Sequence, residues 1–327
     1  MKIAVCGSIA TDHLMTYQGR FSESLVPEAL HKISVSFLVE DLQVRRGGIG
    51  ANISFGMARL GHRPLLVGAV GEDFGGYRSW LERHGVVCDH ILVSEIKHTA
   101  RFVVTTDSDM AQIASFYSGA MSEARNIELG PISHSLGGLD LVMVSPDDPQ
   151  AMLRHTAECR TRRIPFAADP SQQLAVMRGP EIRRLVDGAT YLFTNDYEAH
   201  LTEQKTGWDA EEILRRVRYR VITRGKDGAT VLSREHEPIE VPIAAEVSRV
   251  DPTGVGDGFR AGFLAGLAWG LGHRRCAELG SVLAGYVLQT VGTQEYDFTP
   301  EDFLGTYEQA YGSEAAAEVA VHLGGEA

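Results

Sequence analysis

The sequence Asp251-Pro-Thr-Gly-Val-Gly-Asp257 has the residue types and spacing of an anion site. Gly254 and Gly256 stand directly before a long helical pattern, so backbone N–H groups are free where the helix begins. Free N–H groups and the helix dipole together attract an anion. Asp257 beside a bound phosphate could take a proton from an attacking hydroxyl group. By spacing alone, a helix-capping role for Asp257 is equally typical.

A second glycine-rich segment, Gly47-Gly-Ile-Gly-Ala-Asn52, precedes another helical pattern. Its spacing is not GxGxxG and it follows a polar strand pattern, which argues against a dinucleotide-binding loop. Gly47 and Gly48 would let a ligand approach the backbone closely, and Asn52 offers an amide from the first helical turn. The segment therefore predicts a polar site for a small ligand.

Composition excludes several classes of protein. The 327 residues carry a formal charge of −12, which disfavours a nucleic-acid binder but not a small phosphorylated ligand. No apolar stretch approaches the length of a membrane span, and Asp12 and His13 interrupt the first apolar run, which we interpret as a strand. The four cysteines are scattered and no histidine cluster has metal-ligand spacing, so we expect a reduced, cytoplasmic protein without a transition-metal site.

Short apolar segments alternate with helical patterns over most of the chain, which predicts an α/β fold with a doubly wound, mostly parallel sheet flanked by helices. The predicted strands are 2–9, 65–70, 140–144, 166–168, 191–194 and 221–223, and the predicted helices are 51–60, 77–84, 149–162, 181–186, 210–217, 258–271 and 274–291. Glycines recur every fourth residue from Gly258 to Gly270, and this stripe predicts close helix packing rather than a site.

Two segments depart from this alternation. Residues 33–46 and 99–117 alternate apolar and polar side chains, the pattern of half-buried antiparallel strands. Asp107 to Asp109 fall in the middle of the second segment, where we expect a solvated hairpin turn rather than a metal site. These segments predict a small β-sheet lid on the main sheet.

Taken together, the two glycine-rich segments resemble the ribokinase-type, phosphofructokinase B-like carbohydrate kinases. Asn195-Asp-Tyr-Glu198 matches the NxxE element of that family, and Val255 departs from it, because a smaller residue is commoner there. The segments that begin at Gly7, Asp109 and Asp169 further resemble the bacterial adenosine kinases within the family. The resemblance covers essentially the whole chain and implies one kinase domain over 1–327, with a lid formed by roughly 12–46 and 97–118.

The resemblance also implies an activity, which is transfer of the γ-phosphoryl group of ATP to the 5′-hydroxyl of adenosine, giving AMP. It implies Mg²⁺ as cofactor and K⁺ as a candidate second cation. The implied catalytic residues are Asp257 as the base and Gly254, Val255 and Gly256 in the anion site. The implied substrate-binding residues are Ser8, Asp12, Ser36, Gly48, Asn52, Phe102, Phe116, Gln172 and Gln173, with the two phenylalanines stacked on the purine. The implied nucleotide-binding residues are Asn195, Thr223, Gly225 and Gly256, with Glu198 holding Mg²⁺ through water and Asp251 and Thr253 near K⁺.

Two rival interpretations remain open from the sequence. A ribokinase or another sugar kinase would keep Asp12, Asn52 and Asp257 but would not need two lid phenylalanines, and another nucleoside kinase of the same family is a further alternative. A non-catalytic nucleoside-binding protein would be expected to lose Asp257 or the glycines before it.

A homodimer through the lids is a further expectation, because strand 33–46 would carry apolar side chains on both faces: Val35, Phe37 and Val39 on one and Leu38 on the other. Adenosine and ATP are the expected small-molecule partners, with neither a nucleic acid nor a membrane.

Overall fold

The alternating apolar segments of the chain form one eight-stranded sheet in the computed structural model. The structure describes residues 1–24, 32, 34–244 and 248–323. The strands are β1 (Ile3–Cys6), β2 (Ala10–Thr16), β3 (Asp41–Gly47), β4 (Leu65–Val67), β5 (Ala69–Gly71), β6 (Leu92–Ser94), β7 (Ala100–Thr106), β8 (Gln112–Tyr117), β9 (Leu141–Val144), β10 (Phe166–Ala168), β11 (Tyr191–Asn195), β12 (Tyr219–Thr223), β13 (Ala229–Ser233) and β14 (Ile239–Val241).

The described residues also form α-helices. They are α1 (Phe21–Ser24), α2 (Ile49–Arg59), α3 (Gly75–Arg83), α4 (Leu129–Ser135), α5 (Pro149–Arg162), α6 (Gly179–Val186), α7 (Asp196–Thr206), α8 (Ala210–Arg216), α9 (Val255–Ala268), α10 (His273–Leu288), α11 (Pro300–Tyr311) and α12 (Ser313–Leu323). None of them has both the length and the apolar character that spanning a bilayer requires.

The order of the strands in the eight-stranded sheet is β14-β13-β12-β11-β10-β9-β1-β4. Its six strands β4, β1, β9, β10, β11 and β12 run parallel, and β13 and β14 are antiparallel at one edge. A parallel sheet covered by helices on both faces needs continuous apolar strands, and β1 is buried along its whole length. Ile3 and Val5 belong to one hydrophobic core, whereas Ala4 and Cys6 belong to the core on the opposite face. The predicted doubly wound α/β fold is therefore confirmed.

Some predicted boundaries are wrong. The strand predicted over 2–9 ends at Cys6, and Ala10–Thr16 forms a separate strand of another sheet. The strand predicted over 65–70 is two strands, β4 and β5, which belong to different sheets and are separated by Gly68. The chain changes sheet at Gly68 where it passes the Gly7 carbonyl so closely that an added Cβ atom would lie 2.7 Å from that oxygen.

A second sheet, here called the small sheet, consists of β3, β2, β7 and β8 in that order. The hairpin predicted over 99–117 is confirmed, with β7 and β8 antiparallel. Asp107 organises its turn, because Oδ1 accepts hydrogen bonds from the backbone N–H groups of Asp109 (2.9 Å) and Ala111 (2.8 Å). No cluster of metal-ligating side chains was found among the described residues, this turn included.

The strand predicted over 33–46 is wrong in its first half. The strand begins at Asp41, residues 34–39 adopt no regular structure, and residue 33 lies outside the described residues. The ring of Phe37 instead packs against the rings of Tyr17 and Phe21, with both centroid distances 4.9 Å. Aromatic packing around Phe37 has therefore replaced the predicted alternation between two faces.

Asp147, just beyond the end of β9, is almost fully enclosed, with 1% of its surface exposed. Its Oδ1 accepts a hydrogen bond from the N–H of Asp148 (2.8 Å), and no partner for Oδ2 was found among the described residues. Burial raises the pKa of Asp147 from 3.8 to about 8. The folded protein therefore binds a proton here that the unfolded chain loses above about pH 4.

Asp147→Asn tests this pKa. The raised pKa means that Asp147 favours folding fully below about pH 4 and loses that contribution as the pH rises to about 8. Urea denaturation measures the free energy of unfolding of both proteins. The value for the variant minus the value for the native protein should increase from pH 4 to pH 8 and stay constant above pH 8. Asp89→Asn, at an exposed aspartate, is the control and should show no such trend. A constant difference between Asp147→Asn and native protein across this range would show that Asp147 is ionised in the fold.

Candidate active site

A cavity of about 700 Å³ lies between the carboxyl ends of the parallel strands and the small sheet. Open α/β sheets bind ligands at this edge. The lining residues are Ser8, Ala10, Asp12, Gly47, Gly48, Ile49, Asn52, Phe102, Phe116, Met121, Pro146, Ser171, Gln172, Gln173, Asn195, Glu198, Thr223, Gly225, Thr253, Gly254, Gly256, Asp257, Arg260 and Thr293. The cavity therefore brings together residues from both glycine-rich segments and from both sheets.

The anion site predicted at residues 254–257 coincides with the beginning of α9. The helix begins at Val255, three residues earlier than predicted, and its N-cap is Gly254. The N–H groups of the first turn of a helix have no partners within the helix. Because Gly254 and Gly256 line the cavity, these donors lie at its wall. Val255 is not among the lining residues, although its N–H belongs to the same turn.

Asp257 does not cap α9, since the N-cap is Gly254 and no side-chain hydrogen bond caps the helix. Its carboxylate instead lines the cavity, where Oδ2 accepts a hydrogen bond of 2.8 Å from Nδ2 of Asn52. Burial raises the pKa of Asp257 to about 7, although the Asn52 hydrogen bond and the charge of Arg260 act to lower it. A carboxylate with a pKa near neutrality is suited to accept a proton from a hydroxyl group.

Arg260 lies one turn after Asp257 and is buried. Its Nη2 donates a hydrogen bond of 2.7 Å to Oδ1 of Asp169, while Nε lies 2.5 Å from Oδ2 but is poorly aligned for a hydrogen bond. Nη1 donates to the carbonyl of Gly256 at 3.1 Å. Burial raises the pKa of Asp169 to about 6, and Arg260 opposes that rise. This ion pair therefore joins the end of β10 to the first turn of α9.

The second glycine-rich segment brings the backbone to the cavity wall. Gly48 has a φ of +92°, and an added Cβ atom would lie 2.6 Å from both the Ala10 nitrogen and the Ser8 oxygen. Only glycine fits this position. Oγ of Ser8 accepts a hydrogen bond of 3.0 Å from the N–H of Ile49, so Ser8 holds this segment in place as well as lining the cavity.

The inner face of the small sheet presents both polar and aromatic side chains. Asp12, Phe102 and Phe116 are register partners on β2, β7 and β8, and all three line the cavity. Burial and, to a smaller extent, the charge of the nearby Asp251 raise the pKa of Asp12 to about 6. Ser36, predicted for the same site, is exposed and is not among the lining residues.

Gln172 and Gln173 line the cavity from the 3₁₀-helix Ser171–Ala175 that follows β10. Nε2 of Gln173 donates a hydrogen bond of 2.8 Å to the carbonyl of Asp147, which fixes the amide and leaves its Oε1 as the atom free to accept.

Asn195 and Glu198 form the capping box of α7. Oδ1 of Asn195 accepts from the N–H of Glu198 (2.8 Å), and Oε2 of Glu198 accepts from the N–H of Asn195 (2.7 Å). The NxxE spacing thus has a structural cause, because these two residue types at this spacing satisfy the helix end. Both side chains still line the cavity, as do Thr223 and Gly225.

The candidate cation residues lie beside the anion site. Asp251 accepts hydrogen bonds from the N–H groups of Thr253 (2.9 Å) and Gly292 (3.1 Å). Thr253 lines the cavity and Asp251 does not. For Mg²⁺, Glu198 supplies a hard oxygen ligand, and this ion usually needs only one or two carboxylates when substrate phosphates complete its shell. The residues present therefore fit that ion.

Comparison with known proteins decides the family. Residues 7–300 match the model of the pfkB family carbohydrate kinases. The chain belongs to this family. A nucleoside kinase of Methanothermobacter thermautotrophicus is 30% identical over 266 residues, covering 80% of this chain and 84% of its own. The nucleoside kinase of Burkholderia thailandensis in complex with inosine is 34% identical with a TM-score of 0.81, over 95% of this chain and 98% of its own.

Ribokinases share the fold at lower identity. The Arabidopsis thaliana ribokinase, complexed with ribose and ATP, is 20% identical with a TM-score of 0.72, over 95% of this chain and 99% of its own. The predicted resemblance to the ribokinase-type kinases is thus confirmed at the level of the family and of the fold.

Sequence analysis gave no role to several residues of this kinase's cavity, and Arg260 is the most informative. The segment Gly258-Phe-Arg-Ala-Gly-Phe263 has a single charge among small and apolar residues of a buried helix. A charged side chain is almost never buried without a partner. That pattern signals an ion pair, but the sequence does not say that the partner is Asp169.

Proposed function

We propose that this kinase transfers the γ-phosphoryl group of ATP to the 5′-hydroxyl of adenosine, giving AMP. One observation carries the proposal: Phe102 and Phe116 face the same cavity as Asp12 and Asp257. A sugar alone has no flat face for two phenyl rings, whereas a purine stacks on them. Similarity to nucleoside kinases, one of them solved with inosine, supports the same class of substrate.

The groups in the cavity supply the steps of such a transfer. Asp12 would accept hydrogen bonds from ribose hydroxyls, and Gly48 and Asn52 would close that side of the sugar. Asp257 takes the proton of the 5′-hydroxyl as its oxygen bonds to the γ-phosphorus and the bond to the leaving ADP oxygen breaks. The N–H groups at the beginning of α9 stabilise the charge on the transferred group.

The proposed cofactors fit the other end of the cavity. Glu198 would hold Mg²⁺ through water, and this ion neutralises phosphate charge when bound. Asn195, Thr223 and Gly225 would contact the nucleotide, and Asp251 and Thr253 would hold K⁺ next to the anion site. The free N–H groups of the first turn of α9 point out of the N-terminus of the helix, where they would face the phosphate, and the hydrogen bond from Arg260 to the carbonyl of Gly256 supports this turn.

Asp257→Asn tests the base. The amide keeps the size of the side chain but cannot accept the hydroxyl proton, so kcat should fall by about 10²–10⁴-fold. The KM values for adenosine and ATP should change little, because the variant removes proton transfer and not binding. Steady-state kinetics with ATP and Mg²⁺ measure both, with Asp89→Asn as an exposed control. A kcat within about threefold of the native value would exclude Asp257 as the base.

A substrate panel tests the purine. We expect phosphorylation of adenosine to exceed that of ribose, and Phe102→Ala or Phe116→Ala should raise the KM for adenosine roughly 10- to 100-fold, as expected for 1–3 kcal/mol of stacking per base. Ribose is the internal control, since its KM should not depend on either ring. Equal losses for both substrates would mean that the rings only support the small sheet, and a preference for ribose would favour a sugar kinase.

We further propose a homodimer through the small sheets, on different residues from those expected. Val35, Phe37, Leu38 and Val39 form no strand, so they do not make the predicted two-faced sheet. The strand register instead places several apolar side chains on the face of the small sheet that points away from the cavity. The apolar residues of this outer face are Met15, Leu42, Val44, Val103, Ile113 and Tyr117. Leu42 and Val44 are 53% and 56% exposed, and a second copy of the sheet would cover them.

Light scattering tests the dimer. The native protein should have twice the chain mass of 35.6 kDa at micromolar concentration. Val44→Glu should give the mass of one chain, because pairing the faces would bury its charge. Val321→Glu, at an exposed valine of α12, is the matched control and should remain dimeric. A native protein that has the mass of one chain at every concentration would refute the proposed dimer.

A further inference from the structure

A row of hydrogen bonds connects the end of β3 to Asp257, and two of its residues, Tyr77 and Gln294, do not line the cavity. The hydroxyl of Tyr77 donates to the carbonyl of Gly47 at 2.9 Å. Nε2 of Gln294 lies 2.5 Å from the Tyr77 oxygen and 2.9 Å from Oδ1 of Asn52. Nδ2 of Asn52 then donates to Asp257 at 2.8 Å. Tyr77 and Gln294 are 6% and 1% exposed and do not line the cavity.

The donor and the acceptor of every hydrogen bond in this row follow from the first bond, between Tyr77 and Gly47. A backbone carbonyl can only accept, so Gly47 requires Tyr77 to donate its single hydroxyl proton. The Tyr77 oxygen then accepts from one N–H of Gln294, and the other N–H of that amide donates to Oδ1 of Asn52. Asn52, with its carbonyl so engaged, must turn its NH₂ group toward Asp257. The carboxylate therefore receives a hydrogen bond instead of facing a carbonyl.

The groups next to this row also bear on its direction. The hydroxyl of Thr293 lies 2.8 Å from Oδ1 of Asn52 and 3.0 Å from the carbonyl of Arg46, so its single proton is shared between two acceptors. Burial raises the pKa of Tyr77, so its hydroxyl keeps its proton at neutral pH. Gln294 makes its contacts in this row through its NH₂ group, and no partner for its Oε1 was found among the described residues.

The reversed row has a chemical consequence. If both amides were turned over, the carbonyl oxygen of Asn52 would face the carboxylate of Asp257. Two acceptors repel each other unless one carries a proton, and that proton would sit on Asp257. A protonated carboxyl group cannot take the proton of a substrate hydroxyl. The orientation of the Asn52 amide thus determines whether Asp257 can accept a proton from the substrate.

We propose that Tyr77 and Gln294 are positioning residues that hold the NH₂ group of Asn52 toward Asp257 and so keep Asp257 a proton acceptor. The inference rests on the proposed role of Asp257 as the base. It assigns a catalytic consequence to two side chains that do not line the cavity.

Tyr77→Phe is the first test, because it removes only the hydroxyl group. Loss of one hydrogen bond in the row should lower kcat by about tenfold, while the KM for ATP stays within about twofold. Gln294→Glu replaces the donating NH₂ group with an acceptor and should lower kcat further. Tyr286→Phe and Gln289→Glu are the matched controls, since these residues make hydrogen bonds elsewhere, and both should keep the native kcat.

A double variant separates positioning from simple structural support. In an Asp257→Asn background there is no base to hold in its accepting state, so Tyr77→Phe should cause no further loss of kcat. Thermal unfolding monitors the fold of each variant, and if Gln294→Glu does not fold, the Tyr77→Phe cycle decides alone. An equal loss in both backgrounds, or a native kcat in Tyr77→Phe, would overturn the inference. If Asp257→Asn itself keeps the native kcat, the proposed base fails and the inference fails with it.

Discussion

The buried ion pair between Arg260 and Asp169 is the interaction on which the geometry of the cavity depends. It fixes the first turn of α9, which carries Gly256 and Asp257, against the end of β10. Removing one member of a buried pair leaves an uncompensated charge and typically costs 3–5 kcal/mol. Both charges must therefore be present, and the chain supplies them from positions 91 residues apart. The anion site is thus a property of the whole fold rather than of a single glycine-rich loop.

Close helix packing holds the rest of α9 in place. A Cβ atom at Gly262 would lie 2.5 Å from the carbonyl of Leu279, and one at Gly280 would lie 2.6 Å from the carbonyl of Phe259. The helices α9 and α10 therefore approach through glycine, as the four-residue repeat predicted. Each interior glycine costs about 1 kcal/mol of helix stability, which the buried packing around α9 offsets. A helix fixed along its length in this way keeps its N-terminal N–H groups at a constant place.

Sequence analysis predicted the parts of the fold that local pattern determines. Continuous apolar strands, glycine-rich segments before helices and the hairpin around Asp107 all follow from composition and spacing, and so does the family. The analysis failed where contacts between side chains far apart in the sequence determine the structure. The alternation over 33–46 looked like a strand, but Phe37 finds aromatic partners in Tyr17 and Phe21. The contact of Gln294 with Tyr77 spans 217 residues, and neither residue type indicates a role by itself.

The charge balance around Asp257 explains why its surroundings must be so closely controlled. Asp169 and Glu198 act to raise its pKa, whereas Asn52 and Arg260 act to lower it, and burial is the largest cause of its rise to about 7. Removing any one of these neighbours would shift the pKa away from neutrality, where a base is both ionised and basic enough to act. An incoming nucleotide adds negative charge and favours the protonated form further. The amide of Asn52 and the charge of Arg260 both oppose that change, and Asn52 does so by a hydrogen bond to the carboxylate itself.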